Sequence, residues 1–199
     1  MKLHIRLCHK YKWQNMSDQG RTVRAHGQAG SHFVSRGVGL WDADYRFALQ
    51  ARLNQLDTNA TLKRRRQRAN ATCRAPNCSR TETLAHVLNH CETNMDVIRQ
   101  RHDDALEQIG AAINTAIKGR RADTEVRLNQ TVRDARSKTM VIADLAITFE
   151  DQPNDQPASS SLQHSREHKI AKYQPIAAAL ERQGWRVHTS AIVYGSLGS

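Results

Sequence analysis

The chain has 199 residues, and its 30 lysines and arginines outnumber 19 acidic residues, giving a net charge of +11. That length builds one full core or two small ones. The cationic excess favours a polyanionic partner, nucleic acid before an anionic membrane, and a membrane role is set aside because no apolar run is long enough to span a bilayer.

Residues 1–40 read as a basic leader. Within it, Gln19 to Gly39 is rich in glycine, arginine and histidine and has little periodicity. That composition suits either a segment disordered in the free chain or a nucleic-acid-binding arm. From Trp41 the pattern sharpens. Tyr45, Ala48, Leu49, Arg52, Leu53 and Leu56 recur at helical spacing, which predicts an amphipathic helix over 41–56. Asp57-Thr58 then supplies a stop and a new N-cap. The helix that follows carries Lys63, Arg64, Arg65, Arg66 and Arg68. Such a run is a solvated face, a targeting signal or a phosphate-binding surface.

Directly behind it stand Cys73, Cys78, His86 and Cys91, spaced Cys-x4-Cys-x7-His-x4-Cys. A tetrahedral zinc ion takes thiolate and imidazole ligands, one pair on a turn and one pair on or beside a helix. Arg74-Ala75-Pro76-Asn77 is turn chemistry. Thr81 to Cys91 reads as a short helix capped by Thr81, with Leu84, Val87 and Leu88 as its apolar stripe. His90 lies one turn after His86 and competes with Cys91 for the fourth position; the thiolate preference of structural zinc favours Cys91. The alternative is three buried thiols and a surface histidine. Three cysteines in one cluster, with Cys8 left over, fit a reducing compartment and an intracellular, nuclear location.

The helical period resumes at Val97 and continues through Ile98, His102, Leu106, Ile109, Ile113 and Ile117 to Gly119, placed as a C′ glycine. Thr124 to Val132 alternates as a half-buried strand, and Lys138 to Phe149 is the strongest strand in the chain. Asp144 interrupts that apolar run. A charge inside a strand is costly unless it is paired, metal-bound or turned to water. Residues 153–163 are polar and loop-like. A helix with Ile170, Tyr173, Ile176, Ala177 and Leu180 on one stripe follows; Gly184 ends it, and a last strand runs from Arg186 to Tyr194. The order predicts an α+β chain: the leader, a helical zinc module over 41–118, and a small α/β domain over 120–199.

Lys169 and Tyr173 share a helical face. If that face packs on the strand bearing Asp144, a carboxylate, an ammonium and a phenol converge. Phosphodiester cleavage by magnesium or manganese uses such a set, with a second carboxylate. Asp134, Glu150 and Asp123 are the candidates for it.

Several motifs together resemble the C-terminal region of early-branching non-LTR (LINE-like) retrotransposon proteins. They are Phe47 to Asn54, Glu82 to Cys91, Arg101-His102-Asp103, Val141 to Asp144, Phe149-Glu150, Lys169-x-x-Lys172-Tyr173 and Ile192 to Gly198. The match runs from about residue 19 onward with the motifs in order. The resemblance implies a Cys-Cys-His-Cys zinc knuckle at Cys73, Cys78, His86 and Cys91, followed by a restriction-like endonuclease domain of the PD-(D/E)xK type. It also implies a DNA nick that primes the element's reverse transcriptase, with DNA and RNA as partners. On this reading Asp144 is the second metal carboxylate, Lys169 the displaced catalytic lysine, and Tyr173 a phosphate or water contact. The family's first carboxylate lies in an Arg-Pro-Asp step, and no Pro-Asp occurs in this sequence. Asp134 lies at about the right distance, yet the segment looks as though one strand were missing. Two expectations follow from the resemblance: a nicking endonuclease with degraded activity, and a catalytically inactive zinc-dependent DNA/RNA-binding module. A reverse-transcriptase domain is not expected in so short a chain.

Overall fold

The computed structural model describes residues 2–16, 20, 24–25, 40–117, 124–126, 132–134, 137–151 and 160–198. The chain mixes helix and strand. Its helices are α1 (Lys2–Gln14), α2 (Asp42–Arg52), α3 (Asn59–Arg64), α4 (Met95–Ile117) and α5 (Ser161–Arg182). A π-helical turn covers His86–His90. Four strands, β1 (Thr124–Val126), β2 (Val132–Asp134), β3 (Thr139–Thr148) and β4 (Arg186–Gly195), form one sheet in that order.

Two compact units emerge, both discontinuous in sequence. One takes residues 1–96, 148–163 and 194–199; the other takes 97–147 and 164–193. This division departs from the boundaries expected at 40 and 119. The reason lies in the first unit's core, where Ala51 and Leu84 are buried with Leu197, and Leu56, Leu88 and Phe149 pack around them. The residues just after β3 and β4, Phe149 and Leu197, therefore contribute apolar surface to the same core as α2. A sequence cut at one point cannot represent such an arrangement.

In the second unit, β1 pairs with β2 and β2 with β3, all antiparallel. The stretch expected as one strand from Thr124 is thus two strands of a hairpin, since alternation looks the same on either side of a reversal. β3 and β4 run parallel: the amides of Arg186 and Ser196 donate to the carbonyls of Lys138 and Thr148, advancing together along both strands. Parallel neighbours need a crossover, and α5 lies between them in sequence. Gly184, at φ 82°, ends α5 in the left-handed region that favours glycine; the Trp185 amide reaches back to the Leu180 carbonyl at 3.2 Å.

One other expectation changes. Lys2–Gln14 is helical, where composition suggested only a leader; most of Gln19 to Gly39, together with Gly119 and Asp123, lies outside the described residues. No described helix is long and apolar enough to cross a membrane.

Candidate metal centre

The metal cluster is built on a short hairpin. Thr72 and Thr81 form an antiparallel bridge, the Cys73 amide donates to the Arg80 carbonyl at 2.8 Å, and the Glu82 amide donates to the Ala71 carbonyl at 2.8 Å. At its tip the Cys78 amide reaches the Ala75 carbonyl, with Asn77 at φ 60°. Asparagine tolerates that conformation better than most residues. The hairpin presents Cys73 and Cys78. The π-helical turn then presents His86 and delivers Cys91 in extended conformation, at φ −78° and ψ 116°. Single π turns occur often at functional sites.

The cap differs from expectation. Thr81 is spent on the bridge, and Thr83 Oγ1 accepts from the His86 amide at 3.1 Å.

The ligand atoms of Cys73, Cys78, His86 and Cys91 all lie within 4.8 Å of one another. Cys78 Sγ is 3.2 Å from His86 Nε2. Around a tetrahedral zinc ion such atoms stand roughly 3.3–3.8 Å apart, so the donor set closes on one ion by small movements. Cys91 is fully buried and His86 nearly so, while His90 is exposed and outside the set. Burial pushes the Cys91 thiol up, but amides of Asn94 and Thr93 donating to its sulfur, with the Cys73 and Cys78 thiols, bring its pKa below the ordinary value. The cluster can hold a metal ion such as zinc. Three thiolates and an imidazole leave no open position, which is the pattern of a structural ion.

Glu82 ties the cluster to α3, and sequence reasoning missed that role. Its buried carboxylate accepts from the Asn59 amide at 2.9 Å, the Arg74 amide at 2.7 Å and Arg74 Nη2 at 2.6 Å. Burial would raise its pKa; the Arg74 guanidinium, then the amides of Arg74 and Asn59, hold it at about 2. Thr58 caps α3 as expected, its Oγ1 accepting from the Thr61 amide at 3.3 Å.

The basic run is divided. α3 ends at Arg64, and Arg66 takes the left-handed conformation at φ 59°, so the five cations do not share a helix. Arg64 donates to the Asn54 carbonyl at 2.9 Å. Arg65 donates to Asp57 at 2.9 Å, to the Gln55 carbonyl at 3.0 Å and to the Gln55 side chain. Arg68 donates to Asn59 Oδ1. Lys63 and Arg66 are exposed and form no such bond among the described residues.

Asp144, Lys169 and Tyr173 come together in the second unit. Lys169 Nζ donates to Asp144 Oδ2 at 2.8 Å, and Lys172 Nζ lies 3.8 Å from the same oxygen. Lys172 also donates to the Tyr173 hydroxyl at 3.2 Å. Burial raises the Asp144 pKa, but Lys169 and then Tyr173 pull it below the ordinary aspartate value. Two ammonium groups and a phenol thus already satisfy this carboxylate.

Nothing described adds a second carboxylate. The sheet register sets Asp134 opposite Thr139, five residues from Asp144 along β3. At about 3.4 Å per residue that is roughly 17 Å, farther than two aspartates sharing one ion, or two ions about 4 Å apart, can bridge. Glu150 is fully buried in the other unit. Both its oxygens accept from the Leu197 amide, at 2.9 and 3.0 Å. Its charge faces Arg52, whose Nε and Nη2 donate to the carbonyls of Leu197 and Gly198 at 2.9 and 3.0 Å. Glu150 is a structural clamp on that turn. Among the described residues, the four zinc-type ligands are the set of histidine, cysteine and acidic side chains placed to hold an ion.

No protein-family model matches the chain, and no curated protein matches it.

Proposed function

We propose that the chain is a zinc-stabilised nucleic-acid-binding fragment of a non-LTR retrotransposon protein. In this reading the knuckle at Cys73, Cys78, His86 and Cys91 and the cations beside it grip DNA or RNA. The C-terminal α+β part is a restriction-like endonuclease domain whose cutting chemistry is degraded. Association with the reverse transcriptase of the same element belongs to the same reading, as does a nuclear location. The observation that carries it is the convergence of three thiols and one imidazole on one point, its first ligand Cys73 following closely on a basic run containing the exposed cations Lys63 and Arg66. A metal that pins the hairpin also fixes α3, because Glu82 bonds to both.

A second reading, a working magnesium- or manganese-dependent nickase, draws on the approach of Asp144, Lys169 and Tyr173. It lacks the second carboxylate that a metal-ion mechanism uses.

One experiment separates them. Duplex DNA binding by the zinc-loaded chain is followed by anisotropy with and without chelator, and supercoiled-plasmid nicking is assayed with magnesium and with manganese. The binding reading expects affinity that collapses with chelator and no nicked plasmid. Nicking that disappears in Asp144→Ala establishes the nickase. Binding indifferent to chelator overturns the zinc-dependent grip.

A further inference from the structure

We infer that α1 is a second contact for nucleic acid, a stacking platform for single strands built from residues outside the metal cluster. The inference rests on the nucleic-acid reading but on none of the same residues.

Helix α1 contains Lys2, Arg6, Lys10 and Lys12 with His4 and His9, and no acidic residue at all. At about 100° per residue, Lys2, Arg6, His9 and Lys10 fall on one arc of the helix. Trp13 falls in the middle of it. The indole is 39 % exposed and Tyr11 is 70 % exposed. On the next arc Leu3 and Leu7 are exposed as well, at 71 % and 56 %. A helix that presents leucine, tyrosine and tryptophan to solvent lacks a partner for that surface among the described residues.

The charge pattern selects the partner. A second copy of α1 would bring four lysines and arginines against four more, which like-charge repulsion opposes. An anionic membrane surface wants its cations opposite a broad apolar face; here the tryptophan sits inside the basic arc, and the apolar arc is only Leu3, Leu7 and Tyr11 wide. Aromatic rings interleaved with cations are what a single strand requires. Phosphates meet the ammonium and guanidinium groups, and unstacked bases lie on the rings. Stacked base pairs of a duplex do not offer their faces in this way.

The test uses the full zinc-loaded chain, oligo(U) and oligo(dT) of twelve nucleotides, a twelve-base-pair duplex and anionic phospholipid vesicles. The variants are Trp13→Ala and the pair Arg6→Glu with Lys10→Glu. The expected result is a loss of about tenfold or more in affinity for both single strands in each variant, with duplex affinity held within about twofold. If both variants bind single strands as the parent does, the inference fails. It also fails if they lose duplex and single strands equally, or if only vesicles respond. Absence of zinc-dependent duplex binding, with single-strand binding still lost in the variants, would sink the knuckle reading and leave α1 standing.

Discussion

The Cys73–Cys91 cluster and the Asp144 cluster are made of similar materials, metal-ligating side chains close to cations, and use them in opposite ways. At the cysteine–histidine cluster the cations stand one step back. Arg74 pairs with Glu82, and the three sulfurs and His86 face one another. At Asp144 the cations have moved in: Lys169 is bonded to the carboxylate and Lys172 stands 3.8 Å away. A metal ion entering the first site displaces only protons. One entering the second displaces an ammonium group from its only described carboxylate. Ligand identity alone therefore does not make a metal site; what already satisfies the ligands decides.

The largest expected effect comes from removing one of the four cluster ligands. Cys91→Ala should cost on the order of 10 kcal/mol of zinc-coupled folding energy in the first unit, while His90→Ala should change the urea midpoint of the zinc-loaded chain hardly at all. Equal losses in the two variants would mean that His90 shares the ion. Next, Arg52→Met leaves the buried Glu150 charge without its guanidinium and should cost about 4 kcal/mol, read in the same denaturation. A cost near zero would show that the Leu197 amide suffices.

Glu82→Gln should cost about 2 kcal/mol at neutral pH. The carboxylate's folded pKa of about 2 lies below its ordinary value of 4.5, so its contribution is complete above pH 4.5 and is lost as pH falls through about 2. The stability gap between parent and variant should accordingly begin to close below about pH 4.5. A gap that widens on acidification would reverse the assignment. The smallest effect is expected at the other cluster, where Asp144→Asn should lower stability by about 1 kcal/mol and leave plasmid nicking unchanged at zero. Magnesium-dependent nicking by the parent alone would break the contrast between the two clusters.

The four-residue metal cluster was legible because it is local. Nineteen residues carry all four ligands, and their spacing survives without knowledge of the fold. Helices α2, α4 and α5 and the long strand β3 were legible through periodicity, and Thr58 through its place before α3. Glu82 was not, since a single acid between two threonines carries no pattern; Asn59 and Arg74, which give it meaning, lie 23 and 8 residues away. Arg52 did leave a sign, a charge standing on the apolar stripe of α2. Its partners, 145 and 146 residues downstream, did not. Asp134 misled for a related reason. Separation along the chain says nothing of register, and β2 pairs with the start of β3 rather than with the stretch around Asp144.

The division of the basic run has a thermodynamic signature. Five cations each neutralising one phosphate would release enough condensed counterions to give a log–log salt slope of about −4.5 on duplex DNA. With Arg64, Arg65 and Arg68 bound to Asn54, Asp57, Gln55 and Asn59, Lys63 and Arg66 remain, and under the proposed reading the segment would contribute about −1.8. On the proposed nucleic-acid reading, the three arginines would shape the surface and two residues would meet the polymer. Such a contact starts weaker in dilute buffer and gives up less of its strength as ionic strength rises.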